Sequence, residues 1–118
     1  TRHGLKATFM SKPSNDPHDA ASGFHLHQSL VTADSTPVFA DGVGATPLAK
    51  AYMGGQLRHA NALTLFAAST ITSYKRFLPG TWAPIRAAWG YDNRFAMVRF
   101  QGLSASGRVE NRLGASDA

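Results

Sequence analysis

Gly23-Phe24-His25-Leu26-His27-Gln28-Ser29-Leu30 sets Phe24, Leu26 and Leu30 on one side and His25, His27 and Ser29 on the other. A period of two is that of a strand, so the stretch predicts one apolar face and one chemically loaded face. Side chains two apart on a strand stand roughly 6.5–7 Å from each other, so the two imidazoles and the hydroxyl would line one wall of a cleft. Imidazole is a common ligand of divalent metals, and a serine hydroxyl can hold a ligand oxygen. The same pattern also describes two half-exposed histidines on a wet face, and spacing alone does not separate the readings.

Working outward, Arg108-Val109-Glu110-Asn111-Arg112-Leu113 predicts another strand, with Arg108, Glu110 and Arg112 opposite Val109 and Leu113. On an exposed strand a carboxylate between two guanidiniums is an ion-pair ladder that contributes little. In a cleft the same carboxylate can bind a metal while the arginines bind phosphoryl oxygens. Ile85–Trp89 and Phe95–Phe100 read as two further strands, separated by the polar segments Gly90–Arg94 and Gln101–Gly107. Arg94 follows a turn and Arg99 lies on a strand; five residues apart, they reach one pocket only if the chain bends.

The remainder is turns and helices. Residues 1–22 read as a short extended piece and a loop dense in turn formers, and residues 31–44 as a hairpin-like excursion turned at Asp41-Gly42. Thr46-Pro47 predicts a helix start, because threonine caps and proline suits the first helical position. That helix is expected to run to about His59, burying Leu48, Ala51 and Tyr52, with Gly54-Gly55 admitting a neighbouring backbone. Asn61 would cap a second helical piece over Leu63–Ala68. A helical turn over Ser73–Phe77 would present Lys75 and Arg76 to solvent or to an anion, ahead of a turn at Pro79-Gly80. The fold class is α+β.

With 118 residues, 43% hydrophobic and 16% charged, the chain suits one folded domain rather than a disordered segment. It has no cysteine, which excludes disulfides and thiolate metal sites. No apolar run is long enough to cross a membrane. The formal charge of +5 arises from 12 Lys and Arg against 7 Asp and Glu, which raises nucleic-acid binding as a candidate. The excess is mostly arginine, at 76, 86, 94, 99, 108 and 112, and the planar guanidinium fork suits carboxylate and phosphate. A pocket for small anions is favoured over a polyanion track. Thr1 is not an initiator Met, and both ends read as cut.

Taken in order, the motifs resemble the C-terminal half of a glutamine synthetase catalytic domain. They are Lys12-Pro13, Ala20-Ala21-Ser22-Gly23-Phe24-His25 with Ser29, Gly54-Gly55, Leu57-Arg58-His59-Ala60, Ser73-Tyr74-Lys75-Arg76, Pro79-Gly80, Trp89-Gly90-Tyr91-Asp92-Asn93-Arg94, Arg108-Val109-Glu110 and Ala115-Ser116-Asp117-Ala118. Ser14 departs from the family's usual apolar residue. The resemblance covers nearly the whole chain and implies part of such a domain over residues 1–118, its antiparallel strands forming an active-site wall with helices packed outside.

It implies an ATP-dependent ligase that phosphorylates the glutamate side-chain carboxylate and lets an amine attack the γ-glutamyl phosphate. By motif position, His25 and Glu110 resemble ligands of Mg²⁺ or Mn²⁺. His27, Ser29, Arg94, Arg99 and Arg108 resemble ATP contacts, with Arg94 and Arg99 the phosphate-binding pair. Arg76 resembles the arginine that holds glutamate, and Arg112 the one near the transferring group, so Arg94 and Arg112 carry the catalytic expectation. His59 and Lys75 are read as structural. The resemblance further implies a cytoplasmic homo-oligomeric ring with active sites between subunits, other metal carboxylates upstream, and an inactive isolated fragment. A non-catalytic scaffold is the alternative, and retention of His25, Glu110, Arg76, Arg94 and Arg112 argues against it.

One departure bears on the acceptor. Ammonia-using members carry Pro-Gly-Tyr-Glu-Ala-Pro where this chain has Pro79-Gly80-Thr81-Trp82-Ala83-Pro84. The glutamate that would hold ammonium and take its proton is Trp82 here. An indole accepts no proton, although its face can cover an aliphatic or cationic amine. The change resembles the branch that ligates glutamate to putrescine or other organic amines.

Overall fold

The computed structural model describes residues 2–102 and 106–117. Part of the polar connection expected at Gln101–Gly107, residues 103–105, lies outside the described residues, as does Ala118 of the terminal motif. The strands are β1 (Leu26–Gln28), β2 (Trp89–Tyr91), β3 (Val98–Gln101) and β4 (Arg108–Asn111). The helices are α1 (Pro47–Arg58), α2 (Ala60–Ala67) and α3 (Ile71–Lys75). The fold is α+β.

The Thr46 hydroxyl oxygen accepts from the Ala49 amide at 3.2 Å, and Pro47 opens α1. The buried stripe is shifted from the expected one: Ala49 and Met53 are sealed, Tyr52 is half-buried, and Leu48 and Ala51 are exposed. Phe39 sets that stripe, its ring 5.1 Å from Tyr52. Methyl groups on Gly54 or Gly55 would meet nothing within 4 Å, so the expected close packing there is absent among the described residues. Asn61 caps nothing. His59 alone separates α1 from α2, serving as C-cap of one and N-cap of the other without a side-chain cap. Helix α3 starts earlier than expected, because Thr70 and Ser73 form a reciprocal capping box.

The sheet order is β1-β4-β3-β2. β1 pairs antiparallel with β4, and β4 with β3, as expected. β2 departs from the expectation by pairing parallel with β3. The chain leaves β2 through Asp92 in the left-handed region (φ 46°), where the Asp92 amide donates to the Phe100 carbonyl at 2.9 Å. Parallel neighbours ordinarily need a long crossover, but so short a ladder is closed by the return over residues 92–97. Residues 85–88 precede the point where the chain reaches Val98 and are not strand.

Register sorts the two faces, since directly paired residues share one. Val98, Phe100 and Val109 are fully buried on the face toward α1. There Gln56 of α1 donates to Gln28 at 2.9 Å and accepts from Asn111 at 2.8 Å. His27, Glu110 and Arg99 lie side by side on the opposite face. The alternation along β1 thus holds, but its apolar side is uncovered within the chain: Phe24, Leu26 and Leu30 are all exposed. Helix α1 reaches β1 only at Gln28, and β1 has no second strand partner among the described residues. Among the described residues no helix is long and apolar enough to cross a membrane.

Candidate functional site

Glu110 is the hub of the loaded face. It is only 2% exposed, and each oxygen meets positive charge or a ring nitrogen. Oε1 lies 2.9 Å from His25 Nδ1, 2.9 Å from Arg112 Nη1 and 3.7 Å from His27 Nε2. Oε2 accepts from Arg99 Nη1 at 3.2 Å, and Arg99 also donates to Asp92. The exposed-ladder reading fails for Glu110 and Arg112, which are both buried, whereas Arg108 is exposed; of the three, Arg112 lines a cleft. A buried carboxylate needs such company, for an unpaired one would lose its charge or destabilise the fold.

Burial pushes the His25 imidazole down from its usual range; Arg112 and Arg76 add to this, while Glu110 opposes it. The ring is therefore neutral near neutrality, with one nitrogen free to accept or ligate. Its Nε2 faces Gly23 and Arg76: a methyl group on Gly23 would stand 2.9 Å from His25 Nε2 and 3.0 Å from Arg76 Nη2. Glycine at 23 is what lets an imidazole and a guanidinium share that corner.

Of the two placements expected for Arg76, solvent or an anion, the first is excluded: it is 3% exposed and lines the cleft, donating to the Leu113 carbonyl at 2.6 Å and the Arg112 carbonyl at 3.0 Å. Desolvation, with Arg112 nearby, pushes its guanidinium down to about 10, so it stays charged at neutral pH. Gly114 lets the Phe24 backbone come close, since a methyl group there would stand 2.1 Å from the Phe24 carbonyl oxygen, and the Phe24 amide donates to the Gly114 carbonyl at 2.8 Å.

His25, Arg76 and Arg112 border one cleft of about 840 Å³, lined also by Lys12, His18 and Trp82 among others, with Glu110 behind its wall. Arg112 donates to the Trp82 backbone carbonyl at 3.2 Å, and its Nε is buried with no partner among the described residues. A buried guanidinium with a spare donor is suited to an anion. The Trp82 indole is exposed at the rim, with the Arg94 guanidinium 5.5 Å from its ring centre. Arg94 precedes β3, so strand alternation does not govern where it points relative to Arg99.

The other expected residues are peripheral here. His27 is exposed beside Glu110, Ser29 is exposed one residue past β1, and Arg108 is exposed at the start of β4. As donors for a cation, His25 and Glu110 converge, yet among the described residues no three His, Asp or Glu side chains group to hold an ion. The pair fits part of a coordination sphere that needs further oxygens. Lys75 donates to Asn15 at 2.8 Å and His59 joins two helices, so both are structural.

Two further features, Lys12 and Asp117, were not assigned roles from sequence. Lys12 is buried and donates to the Asp19 carbonyl, closing the loop that borders the cleft. Asp117 gathers the hydroxyls of Ser11, Thr70, Thr72 and Ser73. The short run Thr70-x-Thr72-Ser73 was the available signal.

The family model described as glutamine synthetase, catalytic domain, matches residues 1–118. Among similar proteins, the γ-glutamylanilide synthase of an Acinetobacter species is 42% identical over 125 residues, covering 100% of this chain and 25% of that protein. A glutamine synthetase of Archaeoglobus fulgidus is 48% identical over 103 residues, covering 82% of this chain and 21% of that protein. A solved GmaS–ADP complex superimposes with a TM-score of 0.81 at 39% identity, covering 99% of this chain and 28% of that one. The chain thus spans about a quarter of the length of the relatives it matches.

Proposed function

This chain belongs to the glutamine synthetase catalytic-domain family, and on that premise we propose that the protein carrying it ligates glutamate to an organic amine at the expense of ATP. The observation that carries the proposal is the cleft itself. Its anion-binding groups, Arg76, Arg112 and His25, stand together, while its rim bears an indole where an ammonia-using member has a carboxylate. The names of similar proteins support both halves, since they include a γ-glutamylanilide synthase, a γ-glutamylethanolamide synthetase and glutamine synthetases.

In this reading Arg76, charged at neutral pH and fixed by two carbonyls, binds the glutamate carboxylate. Arg112, which lines the cleft, faces the phosphoryl group as it transfers, its positive charge opposing the charge that develops there. His25 and Glu110 contribute to holding Mg²⁺ or Mn²⁺, which when bound neutralises charge on the phosphoryl oxygens. Arg94 and Arg99 flank the ATP phosphates, and His27, Ser29 and Arg108 contact the nucleotide. Phosphoryl transfer of this kind depends on positioning and charge neutralisation. Trp82 covers the acceptor; as the nitrogen bonds to the acyl carbon and phosphate leaves, its proton passes to the departing phosphate or to solvent, because an indole takes none. The same premise makes the whole protein an oligomer with active sites completed by neighbouring subunits.

Steady-state assays of the full-length protein with ammonia, ethanolamine, putrescine and aniline as acceptors test the proposal. Higher kcat/KM with an organic amine than with ammonia is expected. Efficient use of ammonia alone would overturn the acceptor assignment, and no ATP turnover with glutamate and any amine would overturn the ligase reading.

A further inference from the structure

Asp117 makes none of the contacts of the His25–Glu110 cluster, although its charge favours the charged form of Arg76, and it joins three pieces of chain that border the cleft. Oδ1 accepts from Ser11 Oγ at 2.7 Å and Ser73 Oγ at 2.8 Å; Oδ2 accepts from Thr70 Oγ1 at 2.9 Å and also from Thr72 Oγ1. Ser11 and Ser73 are fully buried, so those hydroxyls have no solvent to fall back on.

Each donor leads to a wall of the cleft. The Ser11 carbonyl accepts from the Ser22 amide at 2.8 Å, closing the loop 11–22 whose Lys12, His18 and Asp19 line the cleft just before Gly23 and His25. Thr70 and Ser73 are the capping box of α3, and Arg76 is the C-cap of the same helix. Helix α3 is therefore gripped at both ends by one stretch of chain: Asp117 at its start, and the Arg112 and Leu113 carbonyls on Arg76 at its end.

We propose that Asp117 is a positioning residue that sets the 11–22 loop and Arg76 at a fixed distance from His25 and Arg112, and so sets glutamate affinity without touching substrate. The affinity part rests on the ligase reading above; the structural part does not. Desolvation raises the Asp117 carboxyl, but the hydroxyls of Thr72, Ser11, Ser73 and Thr70 outweigh it and hold the group well below the usual carboxylate range. An amide at 117 would offer one acceptor oxygen in place of two and lose the charge, so the hydroxyls on its nitrogen side must turn to accept from it or to one another, which loosens the junction.

The test uses the full-length protein with Asp117→Asn and Ser11→Ala. Hydrogen–deuterium exchange without ligands is expected to quicken about tenfold in both 11–22 and 71–76 for Asp117→Asn, but only in 11–22 for Ser11→Ala, with α1 unchanged in both. In turnover assays Asp117→Asn is expected to raise the glutamate KM about tenfold while kcat changes by less than about threefold. Exchange unchanged in both segments, or quickened equally in α1 through general loss of stability, overturns the positioning role. Quickened exchange with an unaltered glutamate KM in an active enzyme overturns the affinity part. A wild type that turns over no glutamate, with exchange behaving as expected, defeats the ligase reading and leaves the positioning role standing.

Discussion

Replacing Glu110 by alanine removes one carboxylate from among four partners, and the structure says which of them can be satisfied otherwise. Arg99 keeps Asp92 at 3.2 Å, and His27 is exposed, so neither is left stranded. His25 is already neutral and loses one hydrogen bond. Arg112 is the exception: its side chain is 5% exposed, and only neutral partners would remain to it, the Trp82 carbonyl at 3.2 Å and, in the accepting tautomer, His25 Nδ1 at 3.4 Å. Glu110→Ala thus strands one buried charge, and breaking a buried pair in this way destabilises by about 3–5 kcal/mol. Two stranded arginines would double that figure, and the structure argues against doubling. The double variant Glu110→Ala/Arg112→Met removes the stranded charge and should regain about half or more of the loss, because well-packed apolar replacement of a buried pair is often near neutral. Urea unfolding of the full-length protein in a chelating buffer, followed by fluorescence, reads this without any contribution from a bound ion. A loss below about 1 kcal/mol for Glu110→Ala, or a double variant no more stable than the single one, would refute the account.

Three further outcomes follow from the same geometry. Arg76→Met should raise the glutamate KM about tenfold to a hundredfold, measured by steady-state kinetics, since one charged hydrogen-bonding partner is lost. Gly23→Ala pushes a methyl group to 2.9 Å from His25 Nε2 and 3.0 Å from Arg76 Nη2, so kcat/KM should fall roughly tenfold to a hundredfold while urea stability shifts by about 1 kcal/mol or less. The depressed Asp117 carboxyl binds fewer protons folded than unfolded, so its stabilisation is complete above the ordinary value of 3.8 and declines as pH falls below it. The stability advantage of wild type over Asp117→Asn should accordingly be flat from about pH 7 to 5 and shrink below about pH 4, as equilibrium unfolding at several pH values would show.

The sequence exposed most of the loaded face, because period-two alternation depends only on local geometry. It placed His25 and His27 on one side of β1 and Glu110 and Arg112 on one side of the chain at β4, and only the pairing of β1 with β4 was needed to bring them together. Tertiary choices were less legible. Leu48 competes equally with Ala49 for the inner side of α1 until Phe39 is known to lie beneath it. The parallel pairing of β2 depends on a left-handed Asp92 that nothing in Tyr91-Asp92-Asn93 demands. Arg76 reads as a solvent-facing helix residue unless the carbonyls of Arg112 and Leu113 are known to await it. Asp117 was invisible for a like reason, since its partners lie more than forty residues away in the chain.

Arg112 shows how such a cleft can keep its chemistry while its acceptor changes. One Nη holds the Glu110 carboxylate, the other holds residue 82, and the contact at 82 is to the backbone carbonyl rather than to the side chain. Any residue at 82 presents that same carbonyl. The loop carrying the acceptor-facing side chain is therefore registered to the anion-binding groups by an interaction that substitution at 82 leaves intact. The side chain at 82 can therefore change while both Arg112 contacts keep their partners. Arg94 alone among the arginines touches the variable side chain, through its guanidinium over the indole. The contact described for the Trp82 side chain is thus with Arg94, an exposed residue at the rim, while the loop itself is held through the backbone at 82.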